Sequence, residues 1–138
     1  MKQVVRLLVV DDQESMRLLI CSALRALGYT QVLTAVNGAE ALKIVRGRLI
    51  DLVLLDVEMP VLNGFETLKA MREEAELAKV PVIMVTARAD ASFVRAIMPM
   101  QVSGYLVKPV TGAALKACID RVLARRTPDA EDPEAQSA

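Results

Sequence analysis

The chain predicts an α/β fold, a doubly wound five-stranded parallel sheet with five helices. Three observations lead there: five short apolar runs recur along the sequence, each is followed by a segment of helical period, and the connections are short. A parallel sheet is covered by helices on both faces, so its strands read as near-continuous apolar runs.

Strands are expected near residues 5–10, 32–35, 52–56, 81–86 and 104–107, and helices near 13–27, 37–46, 63–73, 90–98 and 111–125. The first strand carries Leu7-Leu8-Val9-Val10, and the helix after it places Met16, Ile20, Ala23, Leu24 and Leu27 on one stripe. Gly28 follows as a C′ residue, and Asn37-Gly38 and Asn63-Gly64 supply cap chemistry for the second and third helices. Pro99 falls where the fourth helix should have its last turn. Proline disfavours helical geometry at Met98 and removes a donor, so this helix is expected to be short or kinked. Thr111 can cap the last helix, whose Leu115, Cys118, Ile119 and Val122 form a second apolar stripe.

A length of 138 residues fits one domain, assigned to residues 1–126. Residues 127–138 are small, acidic and proline-bearing, with Asp129, Glu131, Asp132 and Glu134 and no Lys or Arg, and are expected to form a disordered tail. The overall balance of 17 basic and 17 acidic residues therefore leaves residues 1–126 mildly positive. That excess gives no reason to expect nucleic acid or a membrane surface as partner. No stretch approaches the roughly eighteen apolar residues of a spanning helix, and a cytoplasmic location is expected. Cys21 and Cys118 fall in helices, where small apolar packing is their expected role. The chain contains no histidine, so any histidine chemistry must come from a partner.

The strand ends carry the chemistry. Asp11-Asp12 follow the first strand, Asp56 ends the third, Thr86 ends the fourth and Lys108-Pro109 follow the fifth. In an open parallel sheet, ligands bind outside the carboxyl ends of the strands, where the winding direction reverses. If the first and third strands are neighbours there, Asp11, Asp12 and Asp56 converge. Two unit charges about 4 Å apart repel by roughly 4 kcal/mol at an effective dielectric near 20, so three carboxylates call for a compensating cation. Lys108 supplies one, and oxygen ligands suit Mg²⁺, or Mn²⁺, as a second. A carboxylate can also attack phosphorus to form an acyl phosphate.

These residues resemble the response-regulator receiver family over roughly residues 4–126. The resemblance rests on Val9-Val10-Asp11-Asp12, Leu55-Asp56-Val57-Glu58-Met59-Pro60, Val85-Thr86-Ala87 and Gly104-Tyr105-Leu106-Val107-Lys108-Pro109, taken jointly. It implies a flavodoxin-like strand order of 2-1-3-4-5 and a stand-alone response regulator of a phosphorelay. Asp56 would accept a phosphoryl group from a phosphohistidine on a sensor histidine kinase or histidine phosphotransfer protein. Asp12, Asp56 and the main-chain carbonyl of Glu58 would hold Mg²⁺, with Asp11 acting largely through water. Thr86, the main chain of Ala87, and Lys108 would bind the phosphoryl group. Thr86 and Tyr105 would carry the switch to a downstream protein through the fourth helix, fifth strand and fifth helix, a face that also serves some receivers for dimerisation. The family often has a cis peptide at Lys108-Pro109. No turnover of an external substrate is expected.

Two departures from the family pattern stand out. Gln101 occupies a position where many relatives have glycine, close to Pro99, and together they are expected to alter the output face. Glu58 and Arg88 are opposite charges two residues beyond Asp56 and Thr86; they are expected to approach across the site and tune hydrolysis. Rival readings are a phosphate sink for a shared kinase and an Mg²⁺-dependent aspartate-nucleophile phosphohydrolase of the haloacid dehalogenase type. The latter expects Asp where Glu58 stands, and a cap segment that this chain lacks. A dinucleotide site is weaker still, because no Gly-x-Gly-x-x-Gly follows the first strand.

Overall fold

Each of the five apolar runs forms a strand in the computed structural model, which describes residues 4–88 and 90–126. The expected acidic tail, 127–138, lies outside the described residues. Strands β1 (Arg6–Val10), β2 (Gln31–Ala35), β3 (Leu52–Asp56), β4 (Val82–Thr86) and β5 (Gly104–Val107) alternate with helices α1 (Glu14–Ala26), α2 (Gly38–Gly47), α3 (Gly64–Glu73), α4 (Ala91–Ile97) and α5 (Gly112–Arg126). The strands form one sheet in the order β2-β1-β3-β4-β5, and every pairing is parallel.

Strand periodicity divides the core between the two faces of the sheet. Leu8, Val10, Val53, Leu55, Val82 and Met84 pack with Ala41, Leu42 and Val45 of α2, Leu68 and Met71 of α3, and Phe93 and Ile97 of α4. On the other face, Leu7, Val9, Leu52, Leu54, Ile83 and Val85 meet Ile20, Cys21 and Leu24 of α1 and the expected α5 stripe of Leu115, Cys118, Ile119 and Val122. Both cysteines are buried thiols in this second layer, as packing predicted. Burying one Leu or Ile side chain contributes roughly 1.5–3 kcal/mol, so these two layers dominate the folded state.

Local chemistry sets the element ends. Gly28 takes φ +102°, and the Gly28 and Tyr29 N–H groups donate to the Arg25 and Leu24 carbonyls, closing α1 in a Schellman motif. The side chains of Asn37, Asn63 and Thr111 each accept an N–H three residues on, at 2.8, 2.9 and 3.1 Å. Pro99 has the expected effect: α4 stops after seven residues and a 3-10 turn follows over Met98–Met100. Gln101 then adopts the left-handed region at φ 62°, the conformation that glycine takes most readily. Arg72 of α3 secures that corner by donating to the Gln101 carbonyl at 2.9 Å.

Because β1 joins β2 on one side and β3 on the other, the winding direction reverses between β1 and β3. The carboxyl ends of these two strands present Asp11, Asp12 and Asp56.

Candidate functional site

Carboxylate oxygens of Asp11, Asp12 and Asp56 all lie within 4.8 Å of one another. Asp11 and Asp56 are buried, 1% and 5% exposed, whereas Asp12 faces solvent. The register places them: Val10 lies beside Leu55, so the residues that continue the two strands meet just beyond the sheet. Gly64 supports the arrangement from beneath. Its N–H donates to the Val57 carbonyl at 2.8 Å, and a Cβ at this position would collide with the main-chain oxygen of Asp56.

Lys108 reaches in from the loop after β5. Its Nζ lies 3.2 Å from Asp56 Oδ1 and 3.4 Å from Asp11 Oδ2, and the Lys108-Pro109 peptide is cis, as the family resemblance implied. Burial acts against the ammonium charge, but Asp56 and Asp11 outweigh it and hold the Lys108 pKa above the usual lysine value. Asp56 shifts upward as well, first through burial and then through the charge of Asp11, despite the pull of Lys108. One lysine therefore does not neutralise the cluster. Oxygen-only donors with excess negative charge fit a hard divalent cation such as Mg²⁺.

Asp12, Asp56, Val57, Glu58, Thr86, Ala87 and Lys108 line an open cleft of about 140 Å³, together with Gln13. Thr86 is buried, its Oγ1 accepts the Arg88 N–H at 3.0 Å, and its carbonyl accepts the Lys108 N–H at 2.7 Å. Tyr105 stands apart from the cleft, 38% exposed on β5 beside Met84.

One expected contact does not form. Arg88 pairs with Asp90 through Nε–Oδ1 and Nη2–Oδ2 contacts of 3.1 Å each, while its guanidinium lies 5.5 Å from the centre of the Phe93 ring. Glu58 exerts only a weaker pull on Arg88. Asp90 is two residues away and already ordered as the α4 cap, accepting from the Phe93 N–H, so it captures Arg88 at a smaller cost in chain entropy. Arg88 in turn holds the Asp90 carboxyl well below the usual carboxylate range, with Ser92 adding to the effect.

Sequence reasoning also passed over two residues beside Asp11. The Gln13 N–H donates to Asp11 Oδ1 at 2.9 Å, and Arg17 Nη1 donates to the Asp11 carbonyl at 2.8 Å. The signal was present in part: a residue two positions beyond a strand-end Asp is placed for an Asx-type turn.

A parallel sheet with an acidic cluster and a paired lysine at its switch point defines the class, the phosphoryl-signalling α/β receivers. The chain belongs to the response regulator receiver domain family, whose profile matches residues 7–120. It is 36% identical over 120 residues to chemotaxis protein CheY-3 of Vibrio cholerae serotype O1, covering 87% of this chain and 92% of that protein. The same identity over 120 residues holds for chemotaxis protein CheY of Pseudomonas aeruginosa, at 87% and 97% coverage. Among solved structures, chemotaxis response regulator CheY4 of Vibrio cholerae superposes with a TM-score of 0.82 at 33% identity, covering 88% of this chain and all of that one. The chain is thus a receiver module of two-component phosphorelays. Receiver domains of this kind bind Mg²⁺ in an acidic pocket, accept phosphoryl groups from histidine kinases and act on downstream targets. Among the described residues, no helix is long and apolar enough to cross a membrane.

Proposed function

We propose that the protein works as a stand-alone response regulator in which Asp56 is the phosphoacceptor. The observation that carries this reading is the convergence of Asp11, Asp12 and Asp56 with Lys108 paired to Asp56. The phosphodonor is a phosphohistidine on a sensor histidine kinase or phosphotransfer protein. An Asp56 oxygen forms the new P–O bond while the donor P–N bond breaks, and the imidazole leaves with the electron pair. Asp12, Asp56 and the Glu58 carbonyl would hold Mg²⁺, or Mn²⁺, with Asp11 contributing largely through water; the ion would supply charge neutralisation for the transferred group.

Lys108 holds the Asp56 carboxylate and offers its ammonium to the phosphoryl oxygens, which the Thr86 hydroxyl and the Ala87 N–H also bind. Drawing Thr86 toward the phosphoryl group lets Tyr105 turn inward and reshapes the face made by α4, β5 and α5. A downstream protein that prefers the reshaped face shifts the population. Glu58, which lines the cleft, and Arg88, held by Asp90, tune the lifetime as separate charges. The second reading, a phosphate sink, uses the same chemistry with a short-lived adduct and no target.

Intact-protein mass after incubation with acetyl phosphate and Mg²⁺ tests the reading. One added phosphoryl group, absent in Asp56→Ala and without Mg²⁺, is expected. No adduct on the folded wild type would refute it, and the decay rate after donor removal separates switch from sink.

A further inference from the structure

We propose that Arg17 is a positioning residue for the cation site, acting through the peptide that joins Asp11 to Asp12. The inference rests on the assignment of these two carboxylates to that site. Arg17 Nη1 donates to the Asp11 carbonyl at 2.8 Å, and that carbonyl belongs to the Asp11-Asp12 peptide plane. On the other side of the same residue, the Asp11 N–H donates to the Ala35 carbonyl at 3.1 Å, fixing it to β2. The Asp11 carboxylate is tied by the Gln13 N–H and by Lys108. Rotating the Asp11-Asp12 peptide swings the Asp12 carboxylate, which is solvent-facing, whereas Lys108 pairs with Asp11 and Asp56.

Gln13 occupies the N-cap of α1 without a side-chain cap hydrogen bond. Arg17 itself is anchored, because its own N–H donates to the Gln13 carbonyl at 3.0 Å within the first turn of α1. The guanidinium thus transmits the rigidity of the helix to the main chain between the two acids.

The sign of the effect separates positioning from charge. A cation beside the cluster opposes metal binding, so removing Arg17 as a mere charge tightens Mg²⁺ binding. Removing it as a positioning residue weakens binding.

The test is a Mg²⁺ titration of the full chain followed by backbone amide shifts, comparing wild type, Arg17→Met and Arg17→Lys, with amide exchange measured in metal-free samples. Arg17→Met is expected to weaken Mg²⁺ roughly tenfold, the lower end of what outer partners of metal ligands carry. The Gln13 amide should exchange faster while amides of the sheet keep their protection. Arg17→Lys, which keeps the charge and loses the planar fork, should fall between the two, and decides the matter if the Met variant does not fold. Equal or tighter binding by Arg17→Met with unchanged Gln13 exchange, or a Lys variant that binds Mg²⁺ more tightly than wild type, would overturn the inference alone. No Mg²⁺ response in wild type would overturn both it and the functional reading.

Discussion

Lys108 and Asp56 are 52 residues apart in sequence, and their side chains meet at 3.2 Å at the carboxyl edge of the sheet. The same ammonium also touches Asp11, so a single cation tethers two buried carboxylates at the ends of different strands. Lys108→Met leaves both carboxylates without it. Hydrogen bonds to charged groups contribute about 1.5–3 kcal/mol, and a loss of that size is expected for the metal-free protein. Mg²⁺ should recover much of the loss; urea melts with and without the ion measure it.

Asp56 supplies a pH dependence. Its folded pKa is raised, first by burial and then by Asp11, above the value it has in the unfolded chain. The protonated form is therefore the one that folding favours. Its contribution to stability is fully present below the unfolded pKa and is lost as pH rises through the folded pKa. Asp56→Asn should accordingly stabilise the metal-free protein at neutral pH by about 1–2 kcal/mol, part of the roughly 4 kcal/mol that two close charges cost at an effective dielectric near 20. The advantage should vanish in acid, which thermal melts across pH would show.

Gly64 admits no side chain. A Cβ there would lie 2.8 Å from the Val57 Cα and strike the Asp56 carbonyl, both main-chain atoms that cannot swing aside. Gly64→Ala should cost about 1–3 kcal/mol, the range for overpacking. Because one of the displaced atoms belongs to Asp56, the proposed phosphoacceptor, phosphorylation by acetyl phosphate should slow as well. A stable variant with a wild-type rate would contradict that.

Arg88 is paired with Asp90 rather than Glu58, and this changes what a double variant should do. Groups out of contact have nearly additive effects. The changes in phosphoryl lifetime from Glu58→Asn and Arg88→Ala should therefore multiply, to within about a factor of two. A double variant departing strongly from that product would mean the two charges meet once Asp56 is modified.

Most of the fold was legible because its causes are local. Leu52 to Leu55 form an uninterrupted apolar run, Asn37 and Asn63 cap the helices they precede, and Pro99 interrupts the fourth helix; each acts through its immediate neighbours. The strand order was different, since it came from the family resemblance and not from any residue pattern.

By itself the sequence determined which side chains stand at the strand ends: Asp11, Asp12, Asp56, Thr86 and Lys108. Only the tertiary structure decided how they pair. Lys108 chooses Asp56 and Asp11, Arg88 turns to Asp90, and Arg17 reaches back to the Asp11 carbonyl. Periodicity fixes where a residue lies along its own element. The partner of a long charged side chain depends on sheet register, on burial and on which acceptor is already ordered nearby, and none of these is encoded in a local run of sequence.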